Sequence, residues 1–197
     1  VRALLLNGAT NLSPGQYGTG SAREIPAAWP NSVEGWGRLN LSESVQLSGA
    51  QIWLRDVSGG IDSGASVDYP LEVTSGSPRL RVTLAWTDFP ATPLADKALV
   101  DDLDLEVIAP DGSVIWGNSS ADLISACRVE GADRCNTSES VEVAATQLGT
   151  YILRVTGASV PRGPQPFAIA AIVAGGSVTP PPPPVYTNFV YLPLLGR

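Results

Sequence analysis

The chain has 197 residues, a net charge of −7, 20 glycines and 17 prolines, and it contains neither histidine nor methionine. This negative charge disfavours nucleic acid and anionic membrane surfaces as partners. Without histidine the chain has no residues for a Ser-His-Asp triad or a Cys-His pair, so we expect it not to be a catalyst by itself.

The composition favours an all-β fold, because frequent glycine and proline accompany short alternating runs. The length allows one large domain with a substantial core. No stretch reaches the ~18 consecutive apolar residues that span a bilayer, so we expect no membrane span. No secretory n-region precedes Val1, so we expect a fragment or a processed product.

The first part of the chain is predicted to hold two short helices. Residues Val1 to Thr10 are apolar and rich in helix formers, which indicates a short buried helix. Residues 11–31 are rich in glycine, serine and proline and predict a loop. Either Asn40 or Ser42 is suited to cap a second helix that runs to Leu47.

From Gln51 onward the sequence predicts strands. Apolar residues recur at every second position, as in Leu80, Val82, Leu84 and Trp86, and turn residues separate the runs. This spacing favours an antiparallel β-sandwich or jelly roll. The predicted strands cover residues 51–56, 67–73, 80–86, 103–109, 114–116, 140–144, 151–156 and 167–173.

Three parts are therefore expected, with boundaries at residues 1–47, 48–175 and 176–197. The last part contains the run Pro180 to Pro184, which predicts a polyproline II spacer. Residues 185–197 alternate in polarity and are suited to form one extra strand.

Four motifs in order resemble the C-terminal β-domain of large alkaline subtilisin-like serine proteases. They are WTDFP at 86–90, LVDDLDLEVIAPDG at 99–112 with GN at 117–118, GTYILRV at 149–155 and VPRGPQPF at 160–167. Upstream, RALLLNGA at 2–9 and GWGRLNL at 35–41 resemble the end of subtilisin-like catalytic domains, whose catalytic serine would precede Val1.

The resemblance implies the end of a catalytic domain followed by an accessory β-domain of a secreted endopeptidase. Its expected partners are its own upstream catalytic domain and protein substrate. An apolar patch containing Leu4, Leu5, Leu6 and Trp36 would associate in water, so we expect this segment to pack on the sandwich or on a second copy. The alternatives are a structural domain, or a jelly-roll module that binds carbohydrate or a cell surface through Trp53 and Trp116.

Acidic residues are concentrated between Ala85 and Glu142, where twelve Asp and Glu face three basic residues. Asp102 and Asp104 share one side of a strand start, and Asp88 ends the preceding strand. Antiparallel pairing would bring these three carboxylates together as hard oxygen ligands for Ca²⁺. The resemblance also favours calcium, while turn capping and solvated surface acid remain the alternatives.

Cys127 and Cys135 lie eight residues apart in a polar segment. We predict a loop-closing disulfide and an oxidising, extracellular location, with two free thiols as the alternative. Two cysteines with no histidine supply too few ligands for a zinc site.

Overall fold

The computed structural model describes residues 1–45, 50–119, 127–144 and 147–179. Helix α1 spans Arg2–Asn7, α2 spans Leu41–Val45, and one 3-10 turn spans Gly20–Ala22. Among these residues no helix has the length and hydropathy to cross a membrane. The predicted end of the second helix at Leu47, the spacer and the tail at 185–197 lie outside the described residues. The strands are β1 (Ala50–Ile61), β2 (Ser66–Trp86), β3 (Asp102–Ile108), β4 (Val114–Trp116), β5 (Arg128–Val129), β6 (Ala132–Asp133), β7 (Ser138–Val143), β8 (Gly149–Ser159) and β9 (Gln165–Thr179).

Strand β2 belongs to both layers of the structure. Residues 66–73 pair with β8 and residues 80–85 pair with β7, both along the edge opposite to β9. The first sheet therefore contains β1, β9, the second half of β2 and β7. The second sheet contains the first half of β2, β8, β3 and β4. Because β2 belongs to both, hydrogen bonds connect all seven strands continuously, and β5 pairs with β6 apart from them. All pairings are antiparallel, so the predicted all-β sandwich is confirmed, while the jelly-roll description stays a prediction.

The core lies between the two sheets and follows the predicted alternation. Leu80, Val82, Leu84 and Trp86 of β2 are at most 2% exposed. Burying one such side chain contributes about 1.5–3 kcal/mol. They pack in one cluster with residues of β3 and β8, namely Leu103, Leu105, Val107, Leu153 and Val155.

The two strands predicted at 67–73 and 80–86 form one strand of 21 residues. The glycine and proline between them indicated a break. Instead the pairing of β2 with β9 shifts register twice there, and Gly76 adopts a φ of 77°. A glycine tolerates this backbone conformation, so the strand changes direction and continues from one sheet into the other.

Trp53 is not the exposed platform that a sugar-binding module would need. It is 7% exposed, faces the core and lies 5.2 Å from the Tyr69 ring between ring centres. Trp116 is half-buried, and a Cβ added at Gly131 would come within 3.1 Å of its indole ring. The proposed exposure of Trp53 was wrong because the strand period of β1 directs this side chain inward.

Helix α1 lies on the outer face of the first sheet. Ala3 packs against Ala85 and Ala170, whose small side chains let the helix approach the strands closely. Asn7 is fully buried, and its Nδ2 donates to the carbonyls of Arg81 (3.1 Å) and Ala170 (2.8 Å). The expectation that the N-terminal segment packs on the sandwich is therefore confirmed.

Arg81, at the centre of this face, anchors the chain that follows α1. Its Nη1 donates to the carbonyls of Asn7 (3.1 Å) and Ala9 (3.0 Å). Its guanidinium lies 4.0 Å from the Trp29 ring centre and forms an ion pair with Glu142. One side chain of the sheet thus contacts three separate parts of the structure.

Residues 36–43 complete the layer outside the first sheet. Trp36 Nε1 donates to Ser140 Oγ at 2.7 Å, and that oxygen also lies 2.8 Å from Thr83 Oγ1. Asn40 caps α2, since its Oδ1 accepts a hydrogen bond from the Glu43 amide at 3.3 Å. Of the two predicted caps, Asn40 is the one used.

Candidate functional site

Asp88 does not share partners with the other two predicted calcium ligands. Its Oδ1 accepts the amides of Phe89 and Asp101, and its Oδ2 accepts the amide of Val100, all at 2.8 Å. Strand β3 pairs with β8 and β4, so the antiparallel pairing of β2 with β3 expected from the sequence was wrong. Asp88 instead closes the loop that joins these strands, the turn-capping alternative.

Asp102 and Asp104 are buried and face a cation supplied by the chain. They are 2% and 5% exposed. Arg134 forms a two-pronged ion pair with Asp104, with Nη2 to Oδ2 at 3.1 Å, and its Nη1 lies 3.4 Å from Asp102 Oδ1. Lys97 Nζ lies 3.1 Å from Asp102 Oδ2. Burial raises the pKa of Asp102, while Lys97 and Arg134 oppose that rise.

Glu139 is a further buried acidic residue that interacts with Asp102 and Asp104, and the sequence analysis did not single it out. Its side chain is fully buried, its Oε2 accepts the Leu105 amide at 2.7 Å, and its Oε1 has no hydrogen-bond partner. Burial raises its pKa well above the ordinary value, and the negative charges of Asp104, Asp133 and Asp102 add to that rise. The sequence pattern did indicate this burial, because the period of two places Glu139 on the same inward face as Val141.

The structure pairs Cys127 with Cys135, as the sequence predicts. Between them β5 and β6 form a hairpin whose turn residues, Glu130 and Gly131, have φ values of 52° and 95°. Asp133 is fully buried at the end of this hairpin, and its Oδ1 accepts the Cys135 amide at 2.9 Å. We call residues 127–135 the disulfide hairpin.

The structure explains why glycine and asparagine occupy positions 117 and 118, the GN pair of the motif. A Cβ added at Gly117 would lie 2.3 Å from Glu139 Oε2, so a side chain there would displace the buried carboxyl. Asn118 adopts a φ of 55°, which asparagine tolerates better than most residues. Its Nδ2 donates to Asp133 Oδ2 at 2.7 Å, and its Oδ1 accepts the Ser140 amide at 2.9 Å.

Together Asp102, Asp104, Asp133 and Glu139 form a buried group that we call the acidic seam. It lies where β3 of the second sheet meets β7 of the first, and the disulfide hairpin supplies Arg134 to it. The seam has buried carboxyls, amide donors and one arginine, but the described residues include no histidine or free thiol beside it. The contacts described in the seam are ion pairs and hydrogen bonds.

No protein-family model matches the chain. Its relatives include three Dictyostelium discoideum proteins named serine protease/ABC transporter B family protein. TagB is 29% identical over 204 residues, which is 85% of this chain and 11% of tagB. TagA is 26% identical over 154 residues (73% and 9%), and tagD is 27% identical over 199 residues (84% and 11%).

This chain is related to one segment of these serine-protease proteins. It spans about a tenth of the length of each of the three relatives. The similarity covers most of this chain, so the relationship is not confined to one short motif.

The residues in place do not fit the predicted calcium shell. In the described part of the chain, no three His, Cys, Asp or Glu side chains are arranged to hold a metal ion. Arg134 and Lys97 take the positions beside Asp102 and Asp104 that a cation would need, and Asp88 uses both oxygens on amides. Calcium binding is untested, and these contacts lead us to predict that calcium does not stabilise the chain through Asp88, Asp102 and Asp104.

A melting experiment with and without calcium tests that prediction. Because Arg134 and Lys97 together already pair with the two aspartates, we expect the melting temperature in millimolar Ca²⁺ to equal that in chelator. An ion bound at a hundredfold excess over its dissociation constant would stabilise by about 2.7 kcal/mol, a rise of roughly 5–10 °C. Such a rise in the native chain that disappears in Asp102→Asn would reinstate the predicted site.

Proposed function

We propose that this chain is the C-terminal part of a secreted subtilisin-like serine endopeptidase. Residues 1–47 would complete the catalytic domain, and the β-sandwich that follows would be an accessory domain that stabilises it. The sequence motifs and the relatives named serine protease support this assignment. Hydrolysis itself would use a serine nucleophile carried upstream of Val1, in the longer protein.

One observation carries the proposed role. The segment that resembles the end of a catalytic domain lies on the first sheet through Ala3, the buried Asn7 and Arg81. Separating the β-sandwich from this segment would break the buried hydrogen bonds of Asn7 and expose the alanine surface to water. The packed β-sandwich therefore stabilises the segment. The accessory domain would therefore act as a clamp on the last helix of the catalytic domain.

Two further points belong to the same proposal. The disulfide is typical of proteins that fold in oxidising compartments, which supports secretion. Contact with protein substrate would use the surface left free by the catalytic domain. Phe89 lies on the loop between β2 and β3 and is 50% exposed, with the Arg162 guanidinium 5.2 Å from its ring centre, so part of the ring is accessible for such contact.

The isolated chain is expected to hydrolyse neither casein nor a chromogenic peptide. It lacks histidine, so no general base of the triad type is available to activate a serine. The assay uses purified chain with and without a serine-protease inhibitor. Inhibitor-sensitive turnover that persists through a second purification would contradict the assignment of the catalytic residues to an upstream domain.

The stabilising role is tested in the parent protein, produced with its upstream sequence. We expect Asn7→Ala to shorten the half-life of peptidase activity on heating and to leave kcat and KM at low temperature unchanged. Ser113→Ala, on the exposed turn after β3, serves as the control. A parent with no inhibitor-sensitive peptidase activity would refute the endopeptidase assignment, and equal half-lives for Asn7→Ala and native protein would refute the clamp.

A further inference from the structure

The acidic seam depends on one arginine for most of its charge balance. Its four acidic residues are at most 5% exposed. Arg134 contacts both Asp102 and Asp104, whereas Lys97 contacts Asp102 alone from a side chain that is 48% exposed. A buried carboxylate that loses its cation keeps its desolvation cost, so the position of Arg134 determines whether the seam is stable.

The disulfide hairpin determines where Arg134 lies. Arg134 directly precedes Cys135, and its backbone amide donates to the Cys127 carbonyl at 2.7 Å. The side chain of Asp133 accepts the Cys135 amide on one oxygen and Asn118 Nδ2 on the other. Both residues that the hairpin contributes to the seam thus sit beside the sulfur–sulfur bond.

The seam in turn joins the two sheets. Glu139 of β7 accepts the Leu105 amide of β3 at 2.7 Å, so a side chain of one sheet bonds the backbone of the other. Glu139 Oε1 has no hydrogen-bond partner, and because the residue is buried, water does not solvate this carboxyl. Loss of Arg134 from the neighbouring Asp104 would leave this junction with carboxyls and no contacting guanidinium.

We propose that the Cys127–Cys135 disulfide is a redox-sensitive lock that holds Arg134 in the acidic seam and thereby joins β3 to β7. Opening is a thiol–disulfide exchange with a dithiol. The dithiol is oxidised to its own disulfide, the Cys127–Cys135 bond breaks, and each cysteine sulfur gains one of the dithiol hydrogens. Arg134 then leaves the aspartates, and the seam opens before the rest of the sandwich unfolds.

Hydrogen exchange of the oxidised and reduced chain tests the lock. After reduction with dithiothreitol, verified by alkylation of both thiols, we expect exchange in residues 102–108 and 138–143 to accelerate about 30-fold or more. Residues 1–10 and 167–174, which hold the N-terminal helix on the first sheet, are expected to change much less. Equal acceleration everywhere, or none at 102–108, would overturn the proposal.

Hydrogen exchange of the native chain and of Arg134→Gln, each oxidised and reduced, distinguishes the placement of Arg134 from the general entropic effect of a crosslink. This variant keeps the hairpin and the disulfide but lacks the guanidinium, so its seam amides should exchange fast before reduction and change little after it. If reduction accelerates amide exchange in the seam equally in native chain and variant, the disulfide does not act by holding Arg134, and the proposal is overturned. Should Arg134→Gln fail to fold, the C127S/C135S double variant is compared with oxidised native chain, and unchanged seam exchange there also overturns the proposal.

Discussion

Replacing Arg81 with glutamine is expected to lower the free energy of unfolding by about 3 kcal/mol. The side chain is 12% exposed and satisfies two carbonyls of the N-terminal segment. The substitution leaves Glu142 without its cation, the carbonyls of Asn7 and Ala9 without a donor, and Trp29 without the guanidinium above it. Urea unfolding of native and variant chains measures the difference.

Arg154→Gln is the matched control. Arg154 pairs with Asp68 at 2.7 and 2.8 Å through Nε and Nη2, the same two nitrogens that Arg81 directs at Glu142, but both side chains of the Arg154 pair are more than a third exposed. Water screens such a pair, so we expect a loss below about 1 kcal/mol. Equal losses for the two variants would mean that Arg81 contributes only a surface ion pair and does not anchor the N-terminal segment.

Glu139→Gln is expected to change the pH dependence of stability more than any other single substitution in the seam. Burial raises the pKa of Glu139 in the folded chain well above its value of 4.5 in the unfolded chain. The folded chain therefore binds this proton more tightly. Its stabilising contribution is complete below the unfolded pKa and falls as pH rises toward the folded pKa.

Glutamine has no proton to lose, so this slope should vanish in the variant. Each unit by which the folded pKa exceeds the unfolded value corresponds to about 1.4 kcal/mol in the difference between the two chains. We expect the native chain to lose stability relative to Glu139→Gln as pH rises from the unfolded pKa of 4.5 toward the raised folded pKa. Urea unfolding at several pH values measures it, and parallel profiles for the two chains would contradict the assignment.

Asp68→Asn provides a control of opposite sign. The hydrogen bonds from Arg154 lower the pKa of Asp68, so its contribution is present above the unfolded pKa and is lost as pH falls through the folded one. The Asp68 pair is exposed, so the change should be small and confined to acid pH. The two variants together distinguish a buried carboxyl with a raised pKa from a surface ion pair with a lowered one.

Local patterns in the sequence were enough to predict most of the secondary structure. A period of two in Leu80–Trp86 predicts a strand with one buried face, because successive side chains alternate across a pleated strand. The apolar segment before Gly8 predicts a helix, and Asn40 predicts the cap of α2. The close spacing of Cys127 and Cys135 predicts a bond, since eight residues form a short loop.

The acidic site depended on contacts that no local pattern contains. Asp102 and Asp104 alternate away from the core and would be solvated in a single sheet. They are buried because the disulfide hairpin, about 30 residues further along, brings Arg134 over them. Asp88 was expected beside them, but strand order in the sheet separates β2 from β3 and leaves Asp88 on the amides of its own loop.

The sequence by itself determined the fold class, the core face of the segment from Leu80 to Trp86 and the disulfide, because these follow from side-chain period and chain separation. Only the tertiary structure decided that one strand serves both sheets, that α1 covers an outer face, and that Glu139 is buried inside the seam, where its pKa is raised. Burial and charge pairing depend on which distant segments meet. A carboxylate that is solvated in one such environment is desolvated and held by arginine in another.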